Sequence, residues 1–286
     1  MAGMATKLRN LLSSEGMVVA PFVFDALTAM VAEHVGFDAL YVTGYGTAAN
    51  LGMPDVGLVN MTEMVNNIRY ISAATNVPLI VDADTAYGSP INVRRTVREY
   101  ERAGAAALHM EDQVFPKKCG FLEGKQVIPL DEHVQKIKAA LNARLNPDFV
   151  IIARTDALAV NGWEDAVRRA KAYRGAGADM IFIDGIRTKD DLNTYAETLV
   201  RQGIPCLYNG ELVPTQEAQR LGFKVHIHAS GLRMAYLALR ERLLELKQTG
   251  IGDYEPSPRG LDFPAVSDLL GLLDIYRMEG EYAVKA

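Results

Sequence analysis

The sequence predicts an α/β protein built as a (β/α)8 TIM barrel. Three observations predict it. Short runs rich in Val, Ile, Leu and Phe alternate with helix-spaced segments from end to end. The runs are continuously apolar rather than alternating, as in parallel strands covered on both faces by helices. Eight strand–helix pairs can be counted, and eight parallel units close most simply into a barrel. An open doubly wound sheet is the alternative, but no Gly-x-Gly-x-x-Gly follows the first strand.

The predicted strands are 18–23, 39–43, 79–84, 106–111, 149–155, 180–184, 205–209 and 224–228. Helical spacing near 3.6 marks 27–35, 63–74, 92–103, 132–143, 164–174, 189–201 and 215–220, then a longer helix over 232–248. Glycine closes many of them, as at Gly36, Gly104 and Gly222. Past Ile251 come Pro256, Pro258 and Pro264, then a helical pattern over 266–276. The expected organisation is one barrel domain over 1–286, with 251–286 a C-terminal helical extension.

The bulk numbers narrow the function classes. A chain of 286 residues, 49% hydrophobic, has ample core for one barrel. The net charge of −5, without a block of like charge, argues against a nucleic-acid partner. No run of 18 apolar residues argues for a membrane span, and no apolar stretch follows the polar start. A soluble cytoplasmic protein is expected. Cys119 and Cys206 are too few for a disulfide framework and read as free thiols, Cys206 as a small core residue. His226 and His228 read as core histidines and His34 as exposed.

A barrel carries its site at the carboxyl ends of its strands, and polar residues gather there. Asp82 and Asp84 end the third strand, two residues apart, so strand alternation aims both at one place. Two like charges held together call for a divalent cation with oxygen ligands. Capping of the next helix, or pairing with Arg94 and Arg95, is the plainer alternative. Glu111-Asp112-Gln113, Arg154-Thr155-Asp156, Asp184, Asn209 and Ser230 end later strands. Arg154 suits bidentate carboxylate recognition, or else a structural ion pair with Glu111 or Asp184. Gly44 and Gly46 suit close approach of main chain to an anion, or an ordinary tight turn. The loop 115–125 holds Lys117-Lys118-Cys119-Gly120 between a proline and a second glycine. Neighbouring lysines favour a thiolate at Cys119, which could deliver a proton to a carbanion beneath a closed loop. The alternative is an incidental surface cysteine.

Taken together, Tyr41-Val42-Thr43-Gly44-Tyr45-Gly46, Pro54-Asp55, Val81-Asp82-Ala83-Asp84-Thr85, Glu111-Asp112-Gln113, Lys117-Lys118-Cys119-Gly120, Ala153-Arg154-Thr155-Asp156 and Asn209 form an ordered set along the chain. That set resembles the isocitrate lyase and phosphoenolpyruvate mutase superfamily. It is most similar to the short C–C lyase branch of 2-methylisocitrate lyase, 2,3-dimethylmalate lyase and petal-death type lyases. The resemblance implies a barrel whose last helix, 232–248, is exchanged between subunits of a homotetramer, a dimer of helix-swapped dimers. It implies Mg2+, or Mn2+, held by Asp82 and Asp84 partly through water, with Asp55 and Glu111 around it. Thr43, Gly44 and Tyr45 would cradle the carboxylate of a 2-oxo acid. Arg154 and Asn209 would orient the remainder, and Gly120 and Phe121 would meet it from the loop.

The reaction so implied opens the C2–C3 bond of a 2-hydroxy di- or tricarboxylate. It yields a 2-oxo acid such as pyruvate or glyoxylate, and a carboxylate protonated by Cys119. Lys117 and Arg154 would stabilise the developing charge, and Tyr41 is the candidate base by position. Phe121 stands where these lyases carry His, which removes a donor and points to fewer carboxylates or a larger alkyl group. Asp184 stands where many carry Glu. Alternatives within the fold are oxaloacetate hydrolysis or decarboxylation and P–C bond chemistry, where the mutases' Asn-Ser type loop is absent. The alternative of another class is a barrel without activity that serves as a binding protein.

Overall fold

A computed structural model of the chain describes residues 3–120, 122–250 and 263–283. In chain order its elements are α1 (Met4–Ser13), β1 (Val18–Val23), α2 (Ala26–Val35), β2 (Leu40–Val42), α3 (Gly44–Asn50), α4 (Met61–Ala74), β3 (Leu79–Asp82), α5 (Pro90–Ala103) and β4 (Ala107–Glu111). They continue with α6 (Leu130–Ala143), β5 (Val150–Thr155), α7 (Ala157–Asn161), α8 (Trp163–Gly175), β6 (Met180–Ile183), α9 (Lys189–Thr198), β7 (Cys206–Asn209), α10 (Thr215–Arg220), β8 (Val225–His228), α11 (Ser230–Thr249), α12 (Phe263–Leu269) and α13 (Leu272–Tyr282). The eight strands pair in parallel in sequence order and β8 returns to β1, closing the barrel. This is the predicted fold class.

Local chemistry explains the elements. Asp25 and Asn60 cap α2 and α4 through reciprocal capping boxes, with Thr28 and Glu63 reaching back. Pro90 opens α5, and Gly104 ends it at φ 105°, where a side chain would also strike Ser72. Along the strands, alternate residues fall into two buried layers. Ala20, Phe22, Ile80, Ile152, Phe182 and Leu207 fill the barrel interior, which α1 plugs with Leu8. The residues between them pack outward against the helices, as Val81, Leu108, Ala153 and Ile181 do. The inward rows continue upward into polar residues. Ile80 leads to Asp82, Ile152 to Arg154 and Leu207 to Asn209. Strand register brings Asp82 beside His109 and Glu111 beside Arg154.

The chain divides into two compact units, Met1–Leu232 and Arg233–Ala286. The first holds the barrel; the second starts within α11 rather than at 251. The helical pattern over 266–276 is two helices, α12 and α13, separated at Leu270 and Gly271. The residues from 251 to 262, with Pro256 and Pro258, lie outside the described residues, as do Phe121 and the side chain of Ser230. Cys206 is buried and His34 exposed, as expected. His226 is fully buried, stacks on Tyr208 with centroids 4.8 Å apart, and bonds the Gly210 carbonyl at 2.8 Å. Among the described residues no helix is long and apolar enough to cross a membrane.

Candidate active site

A cavity of about 560 Å3 opens at the carboxyl ends of the strands. The predicted residues Tyr41, Thr43, Tyr45, Asp55, Asp82, Lys117, Cys119, Gly120, Arg154 and Asn209 all line it, together with Asp184. Gly44, Asp84 and Glu111 sit just behind the lining.

The two acids after β3 converge, though not by strand alternation alone. Asp82 is the last residue of β3, while Asp84 lies beyond it with φ 48°. The Asp84 main-chain N–H donates to Asp82 Oδ1 at 3.0 Å. Gly44, the first residue of α3, presses against both. Its N–H donates to Asp82 Oδ2 at 3.2 Å, and a Cβ there would lie 2.8 Å from that oxygen and 3.4 Å from Asp84 Oδ1. So glycine here is a matter of contact with the acids. Gly46 is likewise enclosed, by Thr43 and Phe24.

Lys117 reaches from the loop after β4 and places Nζ 2.5 Å from Asp55 and 2.7 Å from Asp84. The Cys119 N–H donates to the Asp55 carbonyl at 3.0 Å, which ties the same loop to the segment after α3. Arg154 donates twice to Asp156 at 2.9 and 3.1 Å, and lies 3.2 Å from Glu111 and 3.3 Å from Asp184. The alternative of a structural ion pair is thus realised, yet Arg154 still lines the cavity. The pairing with Arg94 and Arg95 is not formed among the described residues; Lys117 takes that role.

Six carboxylates (Asp55, Asp82, Asp84, Glu111, Asp156, Asp184) face three cations (Lys117, Lys125, Arg154) in this buried space. The electrostatics record the imbalance. Burial pushes Asp84 up to about 7; Lys117 offsets part of this, and Asp82 and Asp55 add to it. Burial also raises Glu111 and Asp184, against the pull of Arg154. For Asp82, burial is outweighed by His109, Lys117 and Arg154, so its carboxyl is held below the usual range. Burial lowers His109 to about 4, so at neutral pH Lys117 and Arg154 carry that effect. Tyr41 stays protonated, since burial and the Asp82 charge push its phenol up. Its oxygen lies 2.6 Å from His109 Nε2 and 3.3 Å from Asp82 Oδ2.

This excess of buried negative charge is the structural ground for a divalent cation. Among the described residues no three His, Cys, Asp or Glu form a ready-made ligand cage. Asp82 and Asp84 nonetheless fit Mg2+, which binds through one or two carboxylates and keeps several waters. Glu111 Oε1 is buried without a hydrogen-bond partner among the described residues, suiting it to accept from such water.

Lys125, Met53, Leu122 and the anchoring role of Asp156 escaped the sequence reading. Lys125 places Nζ 2.7 Å from the Gly120 carbonyl and 3.0 Å from Asp156. Nothing in its local sequence separates it from a solvated lysine. The anchoring of Arg154 by Asp156 was legible in principle, since i and i+2 share a strand face. Met53 and Leu122 line the cavity from loops, where no periodicity points.

A closed barrel with acids, an arginine and a loop thiol at its mouth has the make-up of a barrel enzyme. Residues 8–247 match the phosphoenolpyruvate phosphomutase family model. The chain belongs to the phosphoenolpyruvate mutase/isocitrate lyase superfamily. It is 43% identical to 2,3-dimethylmalate lyase of Eubacterium barkeri, over 98% of each chain. Among solved structures it is similar to oxaloacetate acetylhydrolase bound to 3,3-difluorooxalacetate. That match has a TM-score of 0.91 and 38% identity, and covers 99% of this chain and 98% of the other. A phosphonopyruvate hydrolase complex with oxalate and Mg2+ has a TM-score of 0.89 and 30% identity, covering 98% and 99%.

Proposed function

We propose that this chain is a Mg2+-dependent carbon–carbon lyase that opens the C2–C3 bond of a 2-hydroxy di- or tricarboxylate. The observation that carries the reading is the meeting of Asp82 and Asp84 at Gly44, with Arg154 and Cys119 lining the same cavity. The similarity to 2,3-dimethylmalate lyase over the full length supports it.

When bound at Asp82 and Asp84, the cation supplies charge that lowers the cost of an alkoxide at C2. The side chains supply the remainder. The N-terminal turn of α3, with Thr43, Gly44 and Tyr45, faces the 2-oxo-acid carboxylate, and Arg154 and Asn209 orient the departing half. The C2 hydroxyl gives its proton to a general base, the C2–C3 electron pair passes to C3, and C2 becomes a carbonyl. Negative charge then spreads over the carboxylate next to C3, where Arg154 and Lys117 stabilise it. Cys119 gives its proton to C3. Tyr41 holds its own proton tightly, so as base it would act only where positive charge beside its oxygen lowers that affinity.

A second reading has a specific ground: similarity to oxaloacetate acetylhydrolase is as extensive. A set of 2-hydroxy acids and oxaloacetate, assayed with Mg2+ and with EDTA, tests both. The expected result is 2-oxo-acid release from hydroxy acids, lost in EDTA and restored by Mg2+. Cys119→Ser should lower it by about 10²–10⁴-fold, the usual weight of a general acid. Turnover of oxaloacetate alone would transfer the assignment to the second reading. No turnover and no metal binding would leave a binding protein.

The same reading makes the enzyme a cytoplasmic homotetramer in which α11 is exchanged between subunits. Exposed Tyr236, Leu239, Leu243 and Leu246 along α11 support an apolar partner for that helix. Two cysteines that form no disulfide suit a reducing compartment.

A further inference from the structure

We propose that Gln113 and Lys125 are positioning residues: their side chains clamp the main chain on either side of Cys119 and so set where its thiol stands at the cavity. The inference rests on the lyase reading for what the thiol does, and adds the residues that aim it.

A loop is a poor mount for a proton donor, because a misplacement of about 1 Å at a reacting group can cost a hundredfold in rate. This loop is rooted on both sides. Val114 N–H donates to the Gln126 carbonyl and Ile128 N–H to the Asp112 carbonyl, each at 2.8 Å, around an antiparallel bridge between Gln113 and Val127. Gln113 and Lys125 stand at these roots, and their side chains reach back across the loop. Gln113 is buried and directs both ends of its amide to one residue. Its Nε2 donates to the Lys118 carbonyl at 2.8 Å, and its Oε1 accepts from the Lys118 N–H at 2.9 Å. Lys125 is also buried, and its Nζ donates to the Gly120 carbonyl at 2.7 Å and to Asp156 at 3.0 Å. Between them, the Cys119 N–H donates to the Asp55 carbonyl at 3.0 Å. Residues 118, 119 and 120 are thus each held by a different part of the chain.

The tie at Gly120 is the one that meets the site. A buried ammonium is costly unless it is paired, and the partners of Lys125 are the loop carbonyl and the acid that anchors Arg154. Gly120 itself is seated on the barrel mouth: a Cβ there would strike the Asp184 carboxylate and lie 3.1 Å from Arg154 Nη2. Without Lys125, Asp156 keeps two bonds from Arg154. The loss of the lysine therefore falls on Gly120 and, through it, on Cys119. Cys119 and Gly120 line the cavity, whereas Gln113 and Lys125 do not. The clamp touches no substrate and acts through the thiol.

The experiment makes Gln113→Ala and Lys125→Met, each alone and combined with Cys119→Ser, and assays them on 2,3-dimethylmalate with Mg2+. Alone, each should lower kcat about a hundredfold, the cost of a displaced reacting group, with KM little changed. Combined with Cys119→Ser, each should add almost nothing, because residues that act as one unit are not additive. Lys125→Arg keeps the charge and a donor and should recover most of the loss. A second arm needs no turnover. Iodoacetamide should alkylate Cys119 severalfold faster in both single variants, followed by mass spectrometry at a pH where the thiol is ionised in every sample. Thermal unfolding checks that each variant folds, and Gln113→Ala carries the test alone should Lys125→Met fail to. Equal losses with and without Cys119→Ser, or alkylation rates that do not move, would overturn the clamp and leave the lyase reading standing. No 2-oxo acid from any hydroxy acid would remove the lyase reading, and the alkylation rates would then decide the clamp alone.

Discussion

Residue by residue, the site depends on acids with different duties. Glu111 faces inward to Arg154. Its neighbour Asp112 faces outward and accepts from Thr155 Oγ1, Asp156 N–H, Tyr173 Oη and Arg169 Nη1, at 2.7–3.1 Å. It therefore fixes the end of β5 that carries Arg154. Asp112→Ala leaves Arg169 its Asp165 partner but takes an acceptor from it and from three other buried donors. It should cost at least about 1–3 kcal/mol, the penalty of one stranded buried donor, read from urea unfolding. The cysteines differ as sharply. Burial pushes the Cys206 thiol up to about 12, whereas Cys119 is half-buried at the cavity. At pH 8, iodoacetamide should alkylate Cys119 in the folded protein and reach Cys206 only after unfolding, as mass spectrometry would show. The sign of the linked stability follows. The folded state holds the Cys206 proton more tightly than the unfolded chain. Its contribution is full below the ordinary thiol range and is lost as pH rises toward 12.

At the scale of elements, α3 is the piece that joins fold to chemistry. It is a seven-residue helix opening with Gly-Tyr-Gly, which propensity alone would assign to a turn. Tertiary contact overrides that preference: Thr43 caps it, and Gly44 and Gly46 pack where a side chain would collide. Gly44→Ala should displace Asp82 and lower turnover by on the order of a hundredfold. Its stability cost should be the ordinary ~1–3 kcal/mol of overpacking. Kinetics and thermal unfolding on the same sample separate the two. Asp84 shows the same override. Its left-handed backbone, not strand alternation, turns it toward Asp82. Alternation reached a correct convergence by an incomplete route.

At the scale of the whole molecule, the barrel closes through its own hydrogen bonds and interior layers. Assembly is the larger question. Sedimentation or light scattering should give four chains per particle. Leu239→Glu with Leu243→Glu should dissociate it, since both lie exposed one turn apart on α11. A wild-type monomer would dispose of helix exchange.

The sequence by itself determined the barrel, because apolar runs and 3.6-residue spacing are local signals repeated eight times. It also determined that Asp82, Glu111, Arg154 and Asn209 stand at the strand ends, since the period of two carries each inward row into the mouth. Tertiary structure alone decided that Lys117 bridges Asp55 and Asp84. It alone decided that Lys125 reaches Asp156 and that Met53 and Leu122 complete the cavity. These contacts join segments far apart in the chain through loops, where no periodicity constrains direction. Their geometry exists only once the strands have fixed the loop roots.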